Sequence, residues 1–374
     1  MSRTRKNKVG SLNADEVRRL LNKSAGVNVA HNLSSNDCPT IVKNWISTGS
    51  RWLDSIVCRG KLGGIPVGKI AEIAGLESTG KSYLAAQIAA NAQKDGITVV
   101  YFDAESAIDP VFLEKAGCNI EDLVYVQAQS VEHVLGAIED LLGSNEDKML
   151  FIWDSVAQTP CEKDIESDFN PNSSIAVKAR ILSKAMQKLT VPIANAQSTL
   201  LILNQLKTNI TSNPMMALVE PYVTSGGKAM NYSASLRIWL TGRKAKSSFV
   251  LDERGFRIGS EVKVTLKKSR FGTQGRQCAF KILWGGEVGV QDEESWLDAI
   301  KGSKNLISTG AWYTLKYNDE TTEKFQAAAW KEKLQNSKFR TRVLEIMDEE
   351  IILKFHDRTG NAADYYEVAD GESA

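Results

Sequence analysis

From about residue 46 to residue 290 the chain alternates between short apolar runs of strand length and longer stretches with helical spacing. Lys69–Ala74, Thr98–Asp103, Leu123–Gln127, Met149–Asp154 and Thr199–Asn204 are near-continuous apolar runs, the pattern of strands buried on both faces. Between them Lys81–Ala92, Pro110–Ala116, Val131–Leu142 and Ile175–Leu189 read as helices. The alternation predicts an α/β fold with a mostly parallel central sheet and helices on both sides. Ala234–Thr241, Glu261–Lys267 and Cys278–Leu283 follow without helices between them and are expected to extend the sheet as an antiparallel section.

The pattern changes at both ends. Residues 1–10 carry Arg3, Arg5, Lys6 and Lys8 and almost nothing apolar. Asn13-Ala-Asp-Glu16 has the spacing of a capping box ahead of Val17, Leu20 and Leu21. Residues 1–45 therefore read as an N-terminal arm of basic tail, one helix and a polar linker, and residues 46–290 as the core. Residues 291–374 read as a small α/β C-terminal domain, with helical patterns at Ser295–Ile300, Glu323–Lys333 and Arg340–Phe355 around a short Trp312–Lys316 strand. Beyond Arg358 the charged residues are all acids, Asp364, Glu367, Asp370 and Glu372, which makes an acidic tail.

Charge and cysteine usage narrow the class. Lys+Arg 46 against Asp+Glu 45 leaves a net charge of +1, so any nucleic-acid contact must come from local patches. The five cysteines are scattered without a C-x-x-C pair and no leader-like segment precedes them, so a reduced cytosolic setting is expected. None of the three histidines stands at ligand spacing from a cysteine, so no structural zinc is expected. No apolar run approaches the roughly 20 residues that span a bilayer, and no membrane partner is expected.

The chemistry centres on residues 75–82, Gly-Leu-Glu-Ser-Thr-Gly-Lys-Ser, a complete G-x-x-x-x-G-K-[ST] phosphate loop. Gly75 and Gly80 allow the backbone of Leu76, Glu77, Ser78 and Thr79 to curl so that successive N–H groups face a phosphate. Lys81 adds a charge for the β- and γ-phosphates, and Ser82 offers a hydroxyl to Mg²⁺. A strand before the loop and a helix after it put the anion at a helix N-terminus.

Three more strands end in polar residues. Asp154 closes Met149–Asp154, where ligands bind in open α/β sheets, and is a candidate for orienting Mg²⁺. Glu105, just past Thr98–Asp103, is a candidate general base for water attacking the γ-phosphate, against the alternative of a solvated loop carboxylate. Thr199–Asn204 leads into Gln205, a neutral amide that can sense a phosphate without adding charge. Two irregular segments, about 161–174 and 206–227, follow neighbouring strands, and structureless stretches of that length are usually functional.

Together these residues resemble the RecA recombinases over nearly the whole chain from about residue 46. The matching stretches are Ile46–Ser50, Gly75–Ser82, Phe102-Asp-Ala-Glu-Ser-Ala-Ile-Asp-Pro110, Asp154-Ser-Val156, Ile202-Leu-Asn-Gln205, Ser225-Gly-Gly-Lys228, Gly259-Ser-Glu261 and Ala311-Trp-Tyr313. The divergent arm and long second loop make the phage-encoded UvsX-like branch a candidate closer relative, with bacterial and phage origins both open.

The resemblance implies a RecA-like ATPase core, and it implies roles. Glu105 activates water. Asp109 and Phe112 hold adenine, Phe112 standing where Tyr is usual, and Trp284 lies near the base. Gln205 senses the γ-phosphate at the root of the second loop. Lys268 and Arg270 reach the phosphates of a neighbouring protomer, as an arginine finger does. Tyr232 and the N-terminal helix belong to the contact between protomers. The two loops hold single-stranded DNA through Arg180, Lys207, Gly226, Gly227 and Lys228, with Ile175 and Ile210 wedging between bases. Met215, Met216 and Tyr222 fall in a second loop longer than usual. Arg243, Lys244, Lys246, Arg254, Arg257 and Lys263 make a basic stretch that is either a site for duplex DNA, screened by the acidic tail, or a solvated face.

The expectation is a DNA-dependent ATPase that forms helical filaments of its own copies on single-stranded DNA and pairs that strand with double-stranded DNA, using ATP and Mg²⁺. Single-strand binding and loader proteins are candidate partners, and the nucleoid or replicating phage DNA is the candidate location. The alternatives are a ring-forming helicase-type ATPase and a non-catalytic recombination mediator. An intact set of Lys81, Ser82, Glu105, Asp154 and Gln205 argues against the mediator.

Overall fold

The structure, a computed structural model, describes residues 12–35, 38–144, 147–166, 177–210, 215, 220–227, 229–242 and 248–354. Met1–Lys43 and Asn44–Ala374 form two compact units. In the first, the helix Ala14–Ala25 starts as the capping box predicts. The Asn13 side chain accepts from the Glu16 N–H and the Glu16 carboxylate accepts from the Asn13 N–H, both at 2.9 Å. Val17, Leu20 and Leu21 on this helix are exposed.

The second unit opens with a two-stranded ribbon, β1 (Trp45–Ile46) and β2 (Ile65–Pro66). The main sheet is built from β3 (Ile70–Gly75), β4 (Thr98–Asp103), β5 (Leu123–Gln127), β6 (Met149–Asp154), β7 (Thr199–Thr208), β8 (Tyr222–Thr224), β9 (Leu236–Gly242), β10 (Phe249–Leu251), β11 (Arg257–Ser269), β12 (Gln277–Leu283) and β13 (Gly289–Gln291). Its order is β13-β12-β11-β9-β3-β7-β6-β4-β5, with β8 beside β7 and β10 beside β11.

The strands β9, β3, β7, β6, β4 and β5 run parallel, and β11, β12 and β13 are antiparallel. The antiparallel section thus begins one strand later than the pattern suggested. The second loop and the short helix Ala229–Ser233 carry the chain back across the sheet, so Leu236–Gly242 enters parallel to β3.

Successive residues of the central strands enter opposite cores. Val99, Tyr101, Leu150, Ile152, Leu201 and Leu203 face one, together with the helix Lys81–Lys94. Val100, Phe102, Phe151, Trp153, Leu200 and Ile202 face the other, with the helices Val131–Ser144 and Val177–Asn195. This period of two explains the unbroken apolar runs. Alanines 85, 86, 89, 90 and 92 are buried on Lys81–Lys94 and let that helix lie close to the sheet that aims it. All five cysteines, Cys38, Cys58, Cys118, Cys161 and Cys278, are buried, and none is in a disulfide.

The C-terminal part adds a small antiparallel sheet, β14 (Leu306–Thr309), β15 (Trp312–Lys316) and β16 (Thr322–Gln326). Helices Asp292–Ile300, Trp330–Lys333 and Ser337–Ile346 pack beside it. Glu323–Lys333 is therefore not one helix. Glu323–Gln326 pairs with β15, and the helical part begins at Ala327. The third pattern, Arg340–Phe355, begins earlier, at Ser337, and continues past Ile346 as a π-helical segment to Ile351. The acidic tail lies outside the described residues.

Candidate active site and DNA-facing loops

The phosphate loop leaves β3 at Gly75 and enters the helix Lys81–Lys94 through Gly80, whose φ is +81°. A Cβ at Gly80 would stand 2.7 Å from Ile282 Cδ1, so both conformation and space require glycine there. The Thr79 hydroxyl donates to the Leu76 carbonyl at 2.8 Å and braces the loop. The Lys81 ammonium donates to the same carbonyl at 3.0 Å. Burial lowers the Lys81 pKa, and Asp154, Glu105 and Glu77 counter this by favouring its charge.

Opposite the loop, the Ser82 hydroxyl donates to Asp154 Oδ2 at 2.8 Å, across the ends of Lys81–Lys94 and β6. The buried Tyr101 hydroxyl donates to that same oxygen at 2.9 Å. Burial raises the Asp154 carboxyl above the ordinary carboxylate value, and these two hydroxyls pull it back. A hydroxyl and a carboxylate side by side at a phosphate loop are hard oxygen donors that fit Mg²⁺.

Asp103, at the head of the Asp-Ala-Glu stretch, organises the next loop. Its carboxylate accepts from the N–H groups of Glu105 at 2.9 Å, Ser106 and Ala107 at 3.0 Å, and Ile108 at 3.3 Å. That nest presents Glu105, exposed on the cleft, and leads to Asp109, which caps the helix Pro110–Lys115 by accepting from Val111 N–H at 2.9 Å. A cleft of ≈ 460 Å³ is lined by loop residues 77–82 together with Glu105, Asp154, Gln205, Arg257 and Trp284. A second pocket shares Ser82, Tyr83, Glu105 and Asp154 with it and is lined by Asp109 and Phe112. Tyr83 and Phe112 meet there with ring centroids 4.2 Å apart. Nothing in the phosphate-loop motif flags Tyr83, and only its place directly after Ser82 could have done so.

Lys268 and Arg270 do not line the cleft of their own chain. Lys268 donates to the carbonyls of Asn231 at 2.6 Å and Tyr232 at 2.9 Å, and Arg270 donates to the Tyr232 carbonyl at 2.8 Å. Tyr232 itself is 70 % exposed. Burial, helped by the neighbouring Arg270 and Arg237, brings the Lys268 pKa down to about 8.

The stem of the second loop is regular where the sequence suggested none. Leu206–Thr208 pairs with β8, antiparallel, and within the first loop Glu162–Glu166 is a short helix. Gly226 and Gly227 take φ of +90° and +72° and press against the helix that follows the first loop. A Cβ at Gly226 would lie 2.7 Å from Leu182 Cδ1, and one at Gly227 3.1 Å from the Ala179 Cβ. The glycine pair is thereby brought beside Arg180, which is exposed on that helix. Lys207 is exposed on β7, and Ile210 is 96 % exposed. Ile175, Met216 and Lys228, like Arg243, Lys244 and Lys246, lie outside the described residues. Arg254 and Arg257 are exposed, and Arg257 also lines the phosphate-loop cleft.

Under the loop stem runs a buried polar chain. Glu72 in β3 takes Arg237 Nε at 2.5 Å and Asn204 Nδ2 at 2.9 Å. Arg237 also donates to Thr224 Oγ1 at 3.1 Å, and Asn204 to the Ser225 carbonyl at 2.9 Å. One ion pair thus ties together the phosphate-loop strand, the strand that carries Gln205 and the returning end of the second loop.

Sheet order and loop chemistry together make this a P-loop ATPase. A family model described as the RecA N-terminal domain matches residues 15–289. Protein RecA of Leptospira biflexa serovar Patoc is 34% identical over 277 residues, 74% of this chain and 67% of that protein. Protein RecA of Pseudomonas fluorescens is 34% identical over 275 residues, 73% of each chain. Protein RecA of Marinobacter nauticus is 34% identical over 286 residues, 76% of this chain and 77% of that protein. The chain belongs to the RecA family. It is a RecA-type recombinase and a DNA-dependent ATPase that uses a nucleotide, binds DNA and self-polymerises. Among the described residues no helix is long and apolar enough to cross a membrane.

Proposed function

We propose that the chain hydrolyses ATP at a site completed by a neighbouring copy, and that it forms helical filaments on single-stranded DNA that carry out homologous pairing and strand exchange. The observation that carries the residue assignment is the cleft itself, which gathers Lys81, Ser82, Glu105, Asp154 and Gln205 from four separate segments. Lys81 and the loop N–H groups hold the phosphates. Ser82 and Asp154 hold Mg²⁺, which when bound supplies charge neutralisation on the β- and γ-phosphates. Glu105 accepts a proton from the attacking water, and Gln205 reads the γ-phosphate. Asp109, Phe112 and Trp284 hold the base.

Lys268 and Arg270 act on the ATP of the adjacent protomer. Their position outside their own cleft and beside the exposed Tyr232 supports that reading. Arg180, Lys207, Gly226 and Gly227, with Ile210 and, outside the described residues, Ile175 and Lys228, form the DNA-binding set. Residues 1–45 serve as the arm between protomers, 46–290 as the ATPase core and 291–374 as a C-terminal domain. Single-strand binding and loader proteins are partners of this filament on nucleoid or replicating phage DNA.

The test is ATP turnover with and without single-stranded DNA, alongside electron microscopy. Wild type should show DNA-stimulated turnover and helical filaments. Lys81→Ala should lose nucleotide-dependent filaments, and Glu105→Gln should bind ATP and DNA yet turn over poorly. Full turnover by Glu105→Gln sinks the assigned base. Rings with duplex unwinding would indicate a helicase instead, and DNA binding without turnover a mediator.

A further inference from the structure

Arg257 opens β11, and its guanidinium is held from several sides. Its Nε donates to the Gly259 carbonyl at 3.3 Å, and its Nη2 donates to the Ser260 hydroxyl. The guanidinium carbon lies 3.9 Å from the centroid of the Phe249 ring and 5.1 Å from that of Trp284. Such stacking fixes a long side chain in advance, so less freedom is lost when it meets a ligand. Aromatic faces orient a cation without neutralising it as a carboxylate would.

The charge is placed where the cleft needs it. Glu77, Glu105 and Asp154 line the cleft against Lys81, so three carboxyl groups face a single ammonium. A polyphosphate entering there meets an acidic surround, and Arg257 is the second basic side chain in the lining. Its neighbour Trp284 lines the same wall.

We propose that Arg257 is a nucleotide-binding residue of the chain's own protomer, its guanidinium contacting the anionic phosphate chain of the nucleoside triphosphate from the Trp284 wall rather than serving a duplex-DNA patch. The proposal rests on the reading of this cleft as the ATP site. It adds to that site a cation supplied in cis, distinct from Lys268 and Arg270.

The experiment compares equilibrium binding of ATP and of adenosine to the full-length wild type, Arg257→Ala, Arg257→Lys and Lys81→Ala, at two salt concentrations and without DNA. Arg257→Ala should weaken ATP about tenfold, the scale of one lost hydrogen bond to a charged group, while adenosine binding changes little. The dependence of ATP affinity on salt should flatten. Arg257→Lys should recover only part of the loss, because it restores charge without the planar stack. Equal losses for ATP and adenosine would overturn the proposal by placing the effect on the base through Trp284. Unchanged ATP binding would overturn it too, with a parallel fall in duplex-DNA affinity assigning Arg257 to the DNA patch. If Lys81→Ala also leaves ATP binding untouched, the fault lies in the reading of the cleft, not in Arg257.

Discussion

The Tyr101 hydroxyl donates to Asp154 Oδ2 at 2.9 Å, the same oxygen that takes the Ser82 hydroxyl at 2.8 Å. Both donors approach one oxygen of the Asp154 carboxylate, which lines the cleft, and restrain its rotation. Where such a carboxylate holds a metal, as proposed for Asp154, removing the partners behind it typically changes metal affinity by about 10–100-fold.

Tyr101→Phe keeps the buried ring and deletes only the donor. The Mg²⁺ concentration needed for half-maximal ATP binding should rise about tenfold, with the fold intact by circular dichroism. An Mg²⁺ midpoint equal to wild type would reduce Tyr101 to a packing residue.

If Lys268 acts on a neighbour's nucleotide as proposed, activity and stability should respond oppositely to alkali. With its pKa at about 8 in the fold, against 10.5 for an ordinary lysine, the folded protomer binds fewer protons than the unfolded chain between those values. The contribution of this residue to stability therefore rises with pH across that window. The charge that its proposed role toward a neighbour's phosphates would use is lost over the same range. DNA-dependent turnover should fall above about pH 8, and Lys268→Arg should extend activity to higher pH. The pH profiles of turnover for the two proteins decide it, and superimposable profiles would exclude the assigned role.

Glu72 and Arg237 are almost completely buried, at 0% and 6% side-chain exposure. Glu72→Gln leaves a guanidinium without its counter-charge and should cost about 3–5 kcal/mol, read by urea denaturation. Thr224→Val cuts only the link to the loop stem. It should leave ATP binding unchanged while weakening the gain in single-stranded DNA affinity that ATP confers. A Thr224→Val protein with the full gain would show that the buried chain serves stability alone.

Gly226→Ala places a methyl against Leu182 and forces an L-residue to a φ of +90°. The strain, about 1–2 kcal/mol, falls on the stem of the second loop and not on the phosphate loop. Single-stranded DNA affinity should drop about tenfold with ATP affinity preserved. Fluorescence anisotropy with a labelled oligonucleotide reports the first and nucleotide titration the second.

What could be read along the chain was whatever is contiguous in it. Gly75–Ser82 declares a phosphate loop because all its parts lie within eight residues. β4 and β6 match their predicted bounds because both faces of each are buried, whereas β5 matches its bounds as a partly exposed edge strand. Glu323–Lys333 misled because the alanines at 327–329 favour a helix locally, while pairing with Trp312–Lys316 takes the preceding residues into a strand. Tyr101, Tyr83 and Arg257 carry no motif. Their importance depends on partners brought close by the crossing of strands, such as Asp154 for Tyr101, 53 positions away. Arg257, read along the chain only as one of a basic run, also lines the phosphate-loop cleft because β11 begins beside it.

The five sequestered cysteines have a practical consequence. Burial raises the thiol pKa of Cys58, and brings Cys118 and Cys161 to about 11. At neutral pH these sulfurs are almost wholly in the unreactive thiol form, shielded from solvent as well. A cysteine introduced at the exposed Ile210 should therefore take a maleimide dye far faster than any native thiol. The unaltered sequence is already a background for attaching a single fluorophore to the second loop and watching it engage DNA in real time.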